Sequence, residues 1–144
     1  YKLGVAFYNM SYYGHAWGVK DFYRSGTSWH RADRNYSDEY TAHYYPFGNK
    51  EYTDMSIALR YFERAYEIVQ EREPELAARC AFWAARCQQK QYFDSDDFRQ
   101  TAYGFLPKLP DDYRQYYQQL AKYKQTEYYD NIIKECSYFQ HYRK

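Results

Sequence analysis

The feature that most constrains this chain is an apolar spacing of three, one, three and three residues that recurs in four places. It runs through Ala58, Tyr61, Phe62, Ala65 and Ile68, and again through Ala77, Cys80, Ala81, Ala84 and Cys87. Tyr113, Tyr116, Tyr117, Leu120 and Tyr123 carry it a third time, and Tyr129, Ile132, Ile133, Cys136 and Phe139 a fourth. Such steps hold one stripe of side chains on one face of a 3.6-residue helix. The pattern therefore predicts an all-α fold in which each helix buries one face against its neighbours. Two further stripes lie upstream: Leu3, Ala6, Phe7, Met10 and Tyr13, stopping near Gly14, and Ala16, Val19, Phe22 and Tyr23, stopping near Gly26. A short helix is expected near 95–103. No segment alternates polar and apolar residues for long enough to make a half-buried strand.

Local chemistry agrees with these helices. Asp54 can accept from the free amides that open the second major helix, and Pro74 suits the first turn of the next, where its missing N–H is not needed. Pro110, followed by Asp111 and Asp112, predicts a start near 111 and a helix to about 124, with two carboxylates at the positive end of the helix dipole. Thr126 can cap a last helix over 127–143, with Glu127 in its first turn. Asp94, Asp96 and Asp97 suit a helix start, because they lack the sixth-position Gly and twelfth-position Glu of a calcium loop. Short connections between successive helices favour antiparallel neighbours.

Composition narrows the class. The 144 residues include 22 Tyr, 9 Phe and 3 Trp, yet 27 % are charged, and Gly and Pro are few at 6 and 4. Disordered chains are poor in rings, so an ordered core is expected. No run approaches the roughly 18 apolar residues of a membrane span. Twenty basic against 19 acidic residues leave +1, a balance that gives no field to steer the chain to nucleic acid or to an anionic membrane. Cys80 and Cys87 lie about two helical turns apart, beyond the reach of a disulfide, and with Cys136 they read as free thiols. The chain begins at Tyr1 directly on a helical pattern, which suggests a fragment of a longer protein.

Residues 25–53 break the pattern. This stretch carries Trp29, His30, Tyr36, Tyr40, His43, Tyr44, Tyr45 and Tyr52 with hardly an aliphatic residue, and reads as an ordered, partly exposed insertion, with a possible helix at 36–45.

At these residues the chain resembles the tetratricopeptide-repeat family, whose helix pairs of about 34 residues stack into a superhelix. Ala58, Phe62 and Ala65 match the small, aromatic and small positions of that family's second helix. Leu3, Gly4 and Phe7 resemble the Leu-Gly-aromatic signature of its first, and 111–124 with 127–143 span a plausible repeat. Pro74 falls later than the family's terminating proline, and 74–90 lacks a Leu-Gly pair. The resemblance covers about two thirds of the chain. It implies one helical-repeat domain over 1–144, antiparallel pairs stacked as a right-handed superhelix, and a non-catalytic scaffold that binds another protein or peptide. The phrase Thr126-Glu127-Tyr128-Tyr129 leading to Lys134-Glu135-Cys136 is also similar to repeat proteins of Bacteroidetes, which would place the chain in a cell envelope.

Chemistry-bearing motifs are sparse. There is no phosphate loop, HExxH or nucleophile elbow, and His15, His30, His43 and His141 are scattered. The expectation is no enzyme, no cofactor and no metal, the enzymatic alternative being a pocket that joins His30 or His43 to carboxylates. Arg79 and Arg86 stand seven apart on one face of an apolar helix, with Glu75 one turn before Arg79. They read either as an ion-pair ladder including Glu75–Arg79, or as a clamp for a partner's carboxylate. Pairs such as Tyr12-Tyr13, Tyr44-Tyr45, Tyr116-Tyr117 and Tyr128-Tyr129 put one ring inward and leave one outward for a partner. The candidate binding residues are therefore Trp29, His30, Tyr36, Tyr40, Tyr44, Tyr45, Arg79 and Arg86. A glycan-binding module using exposed rings is the alternative. Asn9-Met10-Ser11 and Asn35-Tyr36-Ser37 fit the glycosylation sequon.

Overall fold

The computed structural model describes residues 1–11, 13–16, 55–93, 95, 97–98, 108–136 and 139. The insertion at 25–53, the expected helix at 16–23, Asp54 and most of 95–103 lie outside them. Five α-helices are described: α1 (Lys2–Met10), α2 (Ser56–Val69), α3 (Pro74–Phe93), α4 (Gln115–Leu120) and α5 (Glu127–Glu135). The fold is all-α, with no strand among the described residues.

The central element is α3. Ala77, Cys80, Ala81, Ala84 and Cys87 are fully buried as expected, but burial continues round the helix through Ala78, Phe82, Ala85, Gln88, Gln89 and Tyr92. A helix hydrophobic on one stripe needs one neighbour, whereas this one has α2, α4 and α5 against it. Its alanines let those neighbours approach closely. α2 returns to α3 through a four-residue turn, and Phe62 stacks on Trp83 at 6.0 Å, so the two run antiparallel. Gly4 and Phe7 of α1 pack beside Phe62 and Tyr61 of α2, and Tyr8 shares a buried cluster with Met55 just ahead of α2, an order that makes these two helices another antiparallel pair. α4 crosses the far side of α3, where Tyr113 lies 5.4 Å from Tyr92 and the Tyr116 N–H donates to Gln88 Oε1 at 3.3 Å.

Two faces differ from the expected stripes. α1 turns Gly4 and Tyr8 inward and leaves Leu3 56 % exposed, with Ala6 exposed beside it. The reason is Gly4: a Cβ there would stand 2.7–2.9 Å from the Phe62 ring, so only glycine lets the helix lie on that ring. α2 buries Ala58, Phe62, Tyr66 and Val69, while Ile68 is 61 % exposed. Tyr66 is drawn inward because its hydroxyl donates to Gln119 Oε1 and accepts from Tyr123, both at 3.2 Å, with the Tyr116 and Tyr123 rings edge-on to its own.

The helix ends show equally specific causes. α1 stops where the Ser11 hydroxyl donates to the Tyr8 carbonyl at 2.6 Å, which buries the hydroxyl of the Asn9 sequon. Gly14 follows so close to the Asn9 backbone that a Cβ would come within 2.3 Å of it. The residue opening α2 is Met55 at φ 59°, the left-handed region. Its side chain, 1 % exposed among Tyr8, Ala58, Phe62, Ala84 and Cys87, anchors that conformation. Ser95 Oγ accepts from the Phe98 N–H at 3.3 Å, while Asp94 and Asp96 of the expected helix start lie outside the described residues. The single helix expected over 111–124 is a 3-10 turn (Asp111–Tyr113), α4, and a second 3-10 turn (Ala121–Tyr123), broken at Arg114 where φ is −120° and ψ 10°. Arg114 Nε sits 2.8 Å from Asp111 Oδ1 across that break. The helix expected over 127–143 breaks after Glu135, where Cys136 is extended; Phe139 is helical again, and 137–138 and 140–144 lie outside the described residues.

The start of α5 carries two caps. Thr126 Oγ1 accepts from the Tyr129 N–H at 3.2 Å, as expected. The carboxylate of Glu75, at the head of α3, accepts from the N–H groups of Glu127 at 2.8 Å and Tyr128 at 3.2 Å. This corrects the expected Glu75–Arg79 pair. Orphan amides at a helix N-terminus, reinforced by the dipole, hold a carboxylate better than an exposed guanidinium one turn away. Thr126→Ala and Glu75→Ala should each cost about 1 kcal/mol, read as a lower thermal midpoint, with loss of helical signal from α5.

Candidate functional site

Arg79 and Arg86 are the two sequence-predicted site residues within the described structure, and α3 does set them on one face. Trp29, His30, Tyr36, Tyr40, Tyr44 and Tyr45 lie outside the described residues. Around the two arginines α3 forms a floor of Arg79, Phe82, Trp83 and Arg86, with Tyr1 and Tyr8 of α1 on one side and Tyr128 of α5 on the other. The Arg79 guanidinium lies 5.3 Å over the Tyr128 ring, and that of Arg86 5.8 Å over Phe82. Tyr8 stands edge-on to Trp83 at 4.8 Å, and Tyr128 edge-on to Phe82 at 6.0 Å. One turn on, the Lys90 ammonium lies 5.0 Å over Tyr13 and 5.1 Å over Phe93. Each cation faces the negative face of a ring.

The face is rich in donors. Arg86 Nη2 contacts the Tyr8 hydroxyl at 3.5 Å, and Trp83 lies close enough to Tyr1 and Tyr128 for its indole N–H to favour their ionised forms. Among the described residues neither arginine is paired with a carboxylate. Burial pulls the Arg86 pKa down while facing Tyr8, Tyr117 and Cys136 push it up, and the net direction is upward, so the side chain is a cation. Desolvation holds the Tyr128 hydroxyl above the ordinary phenol value, with Tyr1 adding to the rise and Arg79 and the Trp83 N–H opposing it, so it too remains a donor.

Tyr1, Tyr8, Trp83 and Tyr128 were not among the expected site residues. Trp83 follows Arg79 by four and precedes Arg86 by three, a spacing that places it on their face, and could have been found from it. Tyr1, Tyr8 and Tyr128 are brought in by packing alone. The tyrosine pairs also need correcting. Tyr117 and Tyr129 are buried as the inward members, but Tyr116 and Tyr128 are half-buried against Tyr66 and Phe82 rather than outward, and no described aromatic residue is exposed. Helices packed at about 8–10 Å leave rings from both sides meeting in the seam.

Burial disfavours the thiolate form of Cys80 and Cys87. Burial pushes Cys80 up to about 11 and Cys87 higher still. Cys136 is only partly buried. At pH 8 a thiol reagent should modify Cys136 first and the other two only on unfolding. Burial likewise raises Tyr66, Tyr116 and Tyr128 above 10. Because these folded-state values lie above the unfolded ones, their stabilisation is complete below the ordinary values of 9 and 10 and is lost as pH rises through the folded-state values. The thermal midpoint should fall progressively above about pH 9, as a melting series at pH 8 to 11 would show.

Compared with protein-family models, curated proteins and solved structures, the chain has no significant match in any of the three. Among the described residues no group of three or more His, Cys, Asp or Glu is placed to hold a metal ion, and no helix is long and apolar enough to cross a membrane.

Proposed function

We propose that the chain is a non-catalytic protein-interaction scaffold, built on tetratricopeptide-like antiparallel helix pairs stacked as a right-handed superhelix. The α1–α2 pair supports that repeat reading, since Gly4 lies on the Phe62 ring flanked by Ala58 and Ala65. The observation that carries the function is the donor-rich face of α3, where Arg79 stands exposed on Tyr128 with no carboxylate opposite it among the described residues. A partner peptide would supply the missing acceptor, an acidic side chain or a terminal carboxylate, since guanidinium groups bind carboxylates in a two-point fork. The aromatic residues of 25–53 would extend the contact. A glycan would need exposed ring faces, and the described rings are engaged with one another.

The test is crosslinking and pull-down with the full chain in an extract of its native source. A reproducible partner, crosslinked to α3 or to 25–53 and weakened by Arg79→Gln, supports the reading. Recovery of no partner, or crosslinks confined to other surfaces, removes it.

A further inference from the structure

We infer that Arg86 and Gln89, on the inner side of α3, form an internal binding site for a small anion. Gln89 is 0 % exposed, and neither its Oε1 nor its Nε2 has a hydrogen-bond partner. Arg86, one turn earlier on the same side of α3, has its Nε buried and equally without a partner, and no acid faces it among the described residues. Residues three apart on a helix are surface neighbours, so these unmet groups stem from adjoining positions. The hydroxyl of Tyr8 touches the far end of the guanidinium, and Tyr117 of α4 faces it as well. Gln88, next to Gln89, already accepts from the Tyr116 backbone, which brings that part of α4 alongside.

The chemistry of the unmet groups selects the ligand. Buried polar groups are nearly always paired, and a partly buried guanidinium whose Nε is enclosed, with no carboxylate opposite it among the described residues, favours a counter-charge. A cation is repelled by Arg86, and an apolar molecule leaves every polar atom unmet. Water alone would satisfy Gln89 but leave the charge uncompensated. An anion accepts from Arg86 Nε and Gln89 Nε2 together, and one accompanying water donates to Gln89 Oε1. Because Gln89 is fully buried, the fitting ligand is a small one, a halide or a small oxyanion. The site uses the inward Nε of Arg86 and holds whether or not Arg79 engages a partner.

The full chain should be melted in gluconate buffer, with chloride or formate replacing gluconate at constant ionic strength. The expected result is a saturable rise in midpoint of about 3–5 °C at ten times the dissociation constant, with whichever of the two probes binds identifying halide or oxyanion. Gln89→Met, which keeps shape and removes the amide, should weaken the response at least tenfold in concentration. In the wild type, chloride binding should also broaden the 35Cl resonance in excess of a gluconate-treated control, and formate should reverse the broadening if both share the site. No saturable response to either probe overturns the inference. So does a Gln89→Met midpoint raised equally in gluconate, chloride and formate, which would mark Gln89 as an orphan amide with no ligand.

Discussion

Phe62→Ala should lower stability by about 3–5 kcal/mol, a fall in thermal midpoint of roughly 10 °C or more. Phe62 is 0 % exposed and is the point at which three helices meet. Its ring lies under Gly4 of α1, stacks at 6.0 Å on Trp83 of α3, and has Tyr1 tilted against it at 5.9 Å. Removing it leaves a void that Gly4 cannot fill, having no side chain, and that Ala58 and Ala84 are too small to close. The loss therefore belongs at the upper end of the range for aromatic truncation. Denaturant melting of the variant checks it, and a fall of under 1 kcal/mol would mean that this packing is absent in solution.

Gly4→Leu should cost about 2 kcal/mol, the balance of two opposed effects. Leucine is the better helix former by nearly 1 kcal/mol. Against that, even its Cβ would stand 2.7–2.9 Å from three carbons of a ring that is itself fully enclosed, so the ring cannot swing away. Overpacking of this kind costs about 1–3 kcal/mol or more. The relief available is for α1 to lift from α2, so the N-terminal residues should become the first site of limited proteolysis while α2, α3 and α4 stay packed. The double variant Gly4→Leu, Phe62→Ala should be less destabilised than the sum of the two by at least about 0.5 kcal/mol, because the new side chain enters the space the ring vacates. Strict additivity would show that the two residues do not touch.

The helices of this fold are legible in its sequence because periodicity reports which face is apolar, and α3 and α5 start where Pro74 and Thr126 place them. Which apolar residues point inward is less legible. Leu3 and Ile68 look like core residues by type and spacing, yet Gly4 and Tyr66 take the inner positions, one by allowing close approach and the other through its hydroxyl partners across α4. Neither cause is local. The same holds for Glu75, whose obvious partner four residues away loses to amides on another helix. Of the candidate site, the Arg79–Arg86 spacing was visible and the tyrosines that complete it were not, since they come from α1 and α5.

The Glu75 carboxylate joins residues 52 positions apart in the chain. An isolated helix of nine residues is marginal in water, so α5 has little reason to persist until the head of α3 is in place to receive its free amides. Assembly is thereby given a direction: α3 forms with α2 through their short turn, and the last helix condenses onto it late. In kinetic terms Glu75→Ala should quicken unfolding while leaving the folding rate nearly unchanged.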